Sequence, residues 1–205
     1  MAETLYMEGQ LQLGRAALPV ALHTEARRLA ITGPSGVGKS SLIRALAGLQ
    51  RLHGALRVRG ERWEDRHHHL PAWKRGVGLV PQDAALFPHR SVAENLGWTG
   101  ADTVEVAGAL GLTPLLDRPP RNLSGGERQR VALGRGLLAA RTLVLLDEPF
   151  SALDRDRRRE VAGWVDRWCA ARELLVVLVS HDDADVSALA DEVWELHPGG
   201  LRRRT

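Results

Sequence analysis

The sequence predicts an α/β fold with a mainly parallel core sheet, an antiparallel β part at the N-terminus and an inserted helical subdomain. Three observations predict it. Four short apolar runs, Arg28–Thr32 (RLAIT), Val77–Pro81 (VGLVP), Leu143–Leu146 (LVLL) and Leu174–Ser180 (LLVVLVS), have the length and branching of doubly buried strands. Continuous runs of this kind suit a parallel sheet covered by helices. The segment from about residue 3 to 27 alternates instead, through Leu11, Leu13 and Val20, Leu22, as half-buried antiparallel strands do. The stretch 83–140 has neither pattern; it is mostly helical and punctuated by glycine.

Taken in order, the alternating N-terminal segment leads into the Arg28–Thr32 strand, then a glycine-rich turn, then a helical pattern at Ser41–Gly48 with Gly48 as its C-cap. The second buried strand ends at Gln82. Within 83–140, Asp102–Leu112 is the clearest amphipathic helix, and Pro114, Pro119 and Pro120 interrupt the chain before the next glycine pair. At 205 residues there is room for one substantial domain. We therefore read 1–205 as a single domain, with 1–82 and 141–205 forming the core and 83–140 the subdomain.

Composition narrows the function classes. Hydrophobic content of 44% and charged content of 26% are ordinary for a globular protein. No apolar stretch approaches membrane-spanning length. The start, MAETLYMEGQLQLG, has neither the basic segment nor the apolar core of an export signal. The one cysteine, Cys169, excludes an internal disulfide and reads as structural. Net charge is +3, and the only lysines are Lys39 and Lys74. The arginine clusters Arg155–Arg159 and Arg202–Arg204 read as a solvated face and a solvated tail rather than a nucleic-acid site. His67–His69 reads as a solvated loop, because adjacent histidines rarely converge on one ion and no acidic partner is evident. The six tryptophans read as packing residues, one of which could meet a partner protein.

Each buried strand is followed at once by residues of a chemical kind: Gly33–Ser40, Gln82, Asp147–Glu148 and His181. Ligands of open α/β sheets sit beyond the carboxyl ends of the strands, so neighbouring strands would bring all four groups to one crevice. GPSGVGKS at Gly33–Ser40 fits the P-loop pattern. Its glycines would let the backbone of Gly33, Pro34, Ser35, Gly36, Val37 and Gly38 curl so that the N–H groups, which Pro34 lacks, face phosphates at a helix N-terminus. Lys39 would reach the β- and γ-phosphates of ATP, Ser40 would ligate Mg²⁺, and Ser41 is a weaker phosphate contact. Asp147 and Glu148 are adjacent on a strand, so their side chains should point to opposite faces unless the chain has begun to turn. Asp147 is the candidate for the Mg²⁺ shell, usually through water, and Glu148 for the general base on the attacking water. Ser124-Gly125-Gly126-Glu127 is a capping box that starts a helix, and its exposed N–H groups make a second anion site.

GPSGVGKS, LSGGERQR at Leu123–Arg130 and LVLLDEP at Leu143–Pro149 together resemble the nucleotide-binding subunit of an ATP-binding-cassette (ABC) transporter. The resemblance runs from about residue 10 to 200 and implies a P-loop NTPase fold of the ABC ATPase type. It implies that two copies stack head to tail with two ATP molecules between them. Ser124, Gly125, Gly126 and Asp154 would then contact the nucleotide held by the other copy. Gln82 in VPQDAALFPH matches the family's glutamine that senses Mg²⁺ and the attacking water, and His181 in VSHD matches the histidine that contacts the γ-phosphate. The implied partners are a separate membrane permease and an extracytoplasmic substrate-binding protein, with the chain peripheral to the cytoplasmic side of a bacterial inner membrane and no nucleic acid involved.

The subgroup most similar in its short N-terminal segment, its VPQDAALFPHRSVAENL stretch and its compact helical region is the ATPase of molybdate importers. Importers of sulfate, iron or thiamine share parts of the pattern. A soluble ABC ATPase acting on nucleic acid or ribosomes is the alternative from another class, but such chains usually carry two cassettes or a long coiled-coil insertion. Two departures stand out. Gly14–Ala17, where the family places an adenine-stacking aromatic, has none, and Tyr6 lies too early. The sequence also stops at Thr205, where molybdate-importer ATPases continue into an oxyanion-binding regulatory domain, so feedback through such a domain is not expected.

Overall fold

The computed structural model describes residues 3–204; Met1, Ala2 and Thr205 of the expected 1–205 domain lie outside the described residues. Among the described residues, ten strands form two sheets. The core sheet contains β3 (Arg28–Thr32), β6 (Val77–Val80), β7 (Leu143–Asp147), β8 (Leu175–Val179), β9 (Glu192–His197) and β10 (Gly200–Arg204), in the order β10-β9-β3-β8-β7-β6. Its β9-β3-β8-β7-β6 pairs are parallel, and only β10 runs antiparallel. The four strands read from the sequence are therefore consecutive neighbours, as convergence of their ends requires.

Period-two alternation divides the core between the two faces of this sheet. Leu143, Leu145, Val177 and Val179 pack with Leu42, Ile43 and Leu46 of α1 (Lys39–Leu46). Val144, Leu146, Val176 and Leu178 face the other way, onto Val131 and Leu137 of α4 (Gly125–Ala139) and Val161 and Val165 of α5 (Arg155–Ala171). A second sheet, β2-β1-β4-β5, is built from β1 (Leu5–Leu13), β2 (Ala16–Thr24), β4 (Leu52–Val58) and β5 (Glu61–Glu64). β1 and β2 form a hairpin in register from Leu5↔Thr24 to Leu13↔Ala16, and their apolar alternates bury Leu11, Leu18, Val20 and Leu22 against the α1 side of the core.

Between β6 and β7 lie α2 (Val92–Leu96), α3 (Val104–Ala109), short 3-10 turns and α4. One contiguous apolar cluster runs from Val92, Leu96 and Leu110 through α4 to the sheet. Gly136 makes this join: its Cα side lies against Val80 and Leu79, and its carbonyl lies 2.0 Å from where a Cβ on Gly78 would stand. The amphipathic helix expected over Asp102–Leu112 is confined to α3. The Asp102 side chain accepts from the Val104 N–H at its start, and Gly111 at φ +63 ends the segment beyond it. Helix α1 begins at Lys39 rather than Ser41. Gly48 follows its C-cap, Ala47, and Gly48 and Leu49 donate back to the Ala45 and Arg44 carbonyls in a Schellman arrangement.

Arg202–Arg204 is no tail but the edge strand β10; its side chains are exposed, and backbone pairing with β9 holds it. His69 does have an acidic partner: its Nδ1 lies 2.6 Å from Oε2 of the buried Glu64, which also receives Arg75. Arg75 in turn donates to the last carbonyls of α1, so this cluster ties β5 to the end of that helix. Arg158, counted among solvated arginines, is partly buried, its side chain 20% exposed. Cys169 is buried, and burial pushes its thiol up to about 12, as a structural cysteine requires. Trp63, Trp168 and Trp194 are buried; Trp73 and Trp98 are exposed.

Candidate active site

β3 ends in Thr32, and the next residue must turn sharply. Gly33 does so at φ +135, with its Cα pressed so close to β9 that a Cβ would lie 2.4 Å from the Leu196 carbonyl. The loop closes on Gly38, the N-cap of α1, at φ +117; a side chain there would strike Leu13 and Leu18 of the β1–β2 hairpin at 2.9 Å. Both positions need glycine for conformation and for space. The loop thereby opens its backbone toward one cleft of about 410 Å³, lined by Ser35, Gly36, Gly38, Lys39, Ser40 and Ser41. Gly33, Pro34 and Val37 do not line it. The Gly33 and Pro34 carbonyls instead hold the Lys39 ammonium, at 2.8 and 2.9 Å, and Val37 packs inward. An ammonium has three donors, so the third remains for a ligand oxygen.

The same cleft receives Gln82 from the end of β6, Asp147 and Glu148 from the end of β7, and His181 from beyond β8. Asp147 is 7% exposed. Burial raises its carboxyl above the ordinary range, a hydrogen bond with Ser40 opposes that rise, the Glu148 charge adds to it, and Lys39 counters it. A buried carboxylate pulled both ways suits a site completed by a cation.

Of the two alternatives for Asp147 and Glu148, opposite faces or a chain already turning, the structure takes the turn. β7 ends at Asp147, and Glu148 takes φ +49, turning its side chain back into the cleft while its N–H still donates to the Val179 carbonyl. A non-glycine residue held there stores about 1–3 kcal/mol of strain, which neighbouring bonds must offset. The Ser151 hydroxyl and N–H both close on the Glu148 carbonyl. Glu148 Oε1 meets His181 Nδ1 at 2.9 Å, with side chains 13% and 77% exposed. This contact raises the His181 pKa above its ordinary value. Ser151 also lines the cleft and had no sequence signal beyond its nearness to Glu148.

Ser124, Gly125, Gly126 and Asp154 stand outside this cleft. Ser124 caps α4 through the expected box: its hydroxyl accepts from Glu127 N–H at 3.2 Å, and Glu127 accepts from Ser124 N–H at 2.6 Å. Asp154 caps α5 by accepting from Arg157 N–H at 3.0 Å. The two caps are close neighbours, because Gly126 abuts the Ala152 carbonyl just before Asp154. Tyr6 is far from the hairpin turn; it stacks on His23, its cross-strand partner, at 4.4 Å.

Comparison with known proteins adds to this geometry. The model of the ABC transporter family matches residues 22–151, more than half of the chain. The chain is 46% identical over 182 residues to the molybdenum import ATP-binding protein ModC of Rhodobacter capsulatus, covering 84% of this chain and 50% of that protein. It is 45% identical over 201 residues to the ModC of Rhodopseudomonas palustris (strain HaA2), covering 92% and 53%. The chain thus spans about half the length of these relatives. A solved dimeric structure of a post-hydrolysis state of the ATP-binding cassette MJ0796 bound to ADP and Pi superposes with a TM-score of 0.82. That match covers 100% of this chain and 98% of the other, at 23% identity, and so supports the fold. With the P-loop, the strand-end carboxylates and the family match in agreement, the chain belongs to the ABC transporter family.

Proposed function

We propose that this chain is the ATP-hydrolysing, energy-coupling subunit of an ABC importer, acting as a head-to-tail dimer on ATP and driving a separate membrane permease. The observation that carries this reading is the meeting in one cleft of Lys39 and Ser40 from beyond β3, Gln82 from beyond β6, Asp147 and Glu148 from the end of β7, and His181 from beyond β8. Phosphates would lie against the N-terminus of α1, where backbone N–H groups and Lys39 meet negative charge. Water would attack the γ-phosphorus with Glu148 accepting its proton, the bond to the bridging oxygen would break, and ADP and phosphate would leave. His181, already on Glu148, would hold that carboxylate and donate toward the γ-phosphate.

The donors Ser40, Gln82 and Asp147 are all oxygens, which fits magnesium. No group of three His, Cys, Asp or Glu side chains among the described residues could hold a metal alone, so the phosphates would complete the shell. When bound, magnesium supplies neutralisation of phosphate charge. Ser124, Gly125, Gly126 and Asp154, kept out of the cleft, are free to face the nucleotide of a second copy.

The transported substrate is molybdate or a similar anion, on the strength of the named relatives. No helix among the described residues is long and apolar enough to cross a membrane. The spanning part belongs in this reading to the permease, with a substrate-binding protein on the far side and this chain on the cytoplasmic side. Stretch 83–140 acts as the subdomain through which the permease is coupled, and exposed Trp98, in a groove with Leu79, Ala85 and Phe87, is the tryptophan placed to meet it. The test is Glu148→Gln. It should keep ATP affinity and lose turnover by about a hundredfold or more, the size of a general-base contribution. Hydrolysis at the parental rate would overturn the assignment.

A further inference from the structure

Arg158 lies outside the cleft, yet its guanidinium joins the two turns that carry Glu148 and His181. Its Nε and Nη2 donate to the Phe150 carbonyl at 3.3 and 3.1 Å, and its Nη1 donates to Asp182 Oδ2. Phe150 is fully buried and lies two residues beyond Glu148; Asp182 directly follows His181. On the far side of His181, the Ser180 hydroxyl donates to Asp185 Oδ2 at 2.9 Å and accepts from Asp182 N–H at 3.1 Å. Asp185 is buried, and its other oxygen has no hydrogen bond; it faces Arg158 Nε at 3.7 Å. One planar cation on α5 therefore reaches the backbone of one turn and both carboxylates that flank the other. A fixed fork suits this bridging in a way an ammonium does not.

We propose that Arg158 is a positioning residue for ATP hydrolysis: by bridging the Phe150 carbonyl and Asp182 it holds the Glu148 and His181 turns together and so sets their 2.9 Å contact. The inference rests on the reading of the cleft as the hydrolytic site. Arg158 also sits on the helix capped by Asp154, so motion of that helix would reach both turns through a single side chain.

A mere ion pair and a positioning brace predict opposite movements of His181. The groups that act on its imidazole are Glu148 and Asp182, which favour the proton, and Arg158, which disfavours it. Deleting the Arg158 charge alone would raise the His181 pKa; loosening the Glu148 contact would lower it. The experiment uses the full chain with Arg158→Met and Arg158→Lys, following ATP turnover and the His181 titration by NMR without nucleotide. Arg158→Met should lower kcat about ten- to a hundredfold, the scale of a small misplacement of reacting groups. KM for ATP should stay within about twofold, because Arg158 does not touch the cleft. The His181 pKa should fall. Arg158→Lys, which reaches one acceptor at a time, should lie between and decides the matter if the Met variant does not fold. Parental kcat in a folded variant, or a His181 pKa that rises or stays, overturns the proposal. If the parent protein hydrolyses no ATP, the hydrolytic reading fails, and a falling His181 pKa still establishes the brace.

Discussion

Gly33→Ala tests how the phosphate-binding loop is anchored to the sheet. At φ +135 an alanine costs about 1–3 kcal/mol in backbone strain alone. Its Cβ would also stand 2.4 Å from the Leu196 carbonyl. That carbonyl belongs to β9, which is paired to β3 on one side and β10 on the other, so it has little room to yield. Overpacking of this kind adds about 1–3 kcal/mol. The sum, about 4 kcal/mol, is a large share of the 5–15 kcal/mol that holds a typical domain together. For a chain of this size it corresponds to a fall in Tm of about 10 °C. Gly36→Ala is the matched control: φ is +77, but nothing lies within 4 Å of a Cβ there. It should cost only the backbone part, about 1 kcal/mol and about 3 °C. Thermal unfolding by circular dichroism, without nucleotide, reads both. Equal losses for the two variants would refute the argument that the Leu196 carbonyl fixes the loop.

Cys169, buried with its thiol pushed up to about 12, should resist iodoacetamide at pH 8 in the folded protein and react fully in urea. The His181 pKa is raised chiefly by its hydrogen bond to Glu148, so the folded state holds that proton more tightly than the unfolded chain. This contribution to stability is complete below the ordinary histidine value of 6.5 and is lost as pH rises through the folded value. Glu148→Gln should bring the His181 titration down toward the ordinary value by NMR, and an unmoved titration would count against the contact.

The sequence disclosed the core strands and the chemistry at their ends because buried parallel strands read as continuous apolar runs. β3, β6, β7 and β8 each lie within a residue or two of their expected bounds. Strand neighbourhood was not legible, since sheet order depends on distant pairings, but it fell as convergence needed. The orientation of Glu148 stayed open in the sequence because alternation holds only while a strand continues, and no glycine marks the turn at φ +49. β10 was missed because Gly200–Arg204 carries exposed arginines and is held by backbone pairing rather than by an apolar face. The partner of His69 was missed because an isolated antiparallel bridge folds Glu64 back onto it. Arg158 was invisible for a different reason. Five neighbouring residues rich in arginine look alike in sequence, and only packing separates Arg157 and Arg158, which are partly buried, from Arg155 and Arg159, which stay in water.

In the proposed dimer each ATP is held between two copies, with Lys39 from one and Ser124 from the other. Light scattering of the Glu148→Gln protein with magnesium and ATP reads out this assembly. The expected mass is twice the 22.5 kDa of the chain, with a return to the single-chain mass when Ser124→Arg is added in the same protein while its ATP affinity persists. A Glu148→Gln protein that binds ATP and stays at 22.5 kDa, or a dimer that forms equally well with Ser124→Arg, would contradict it.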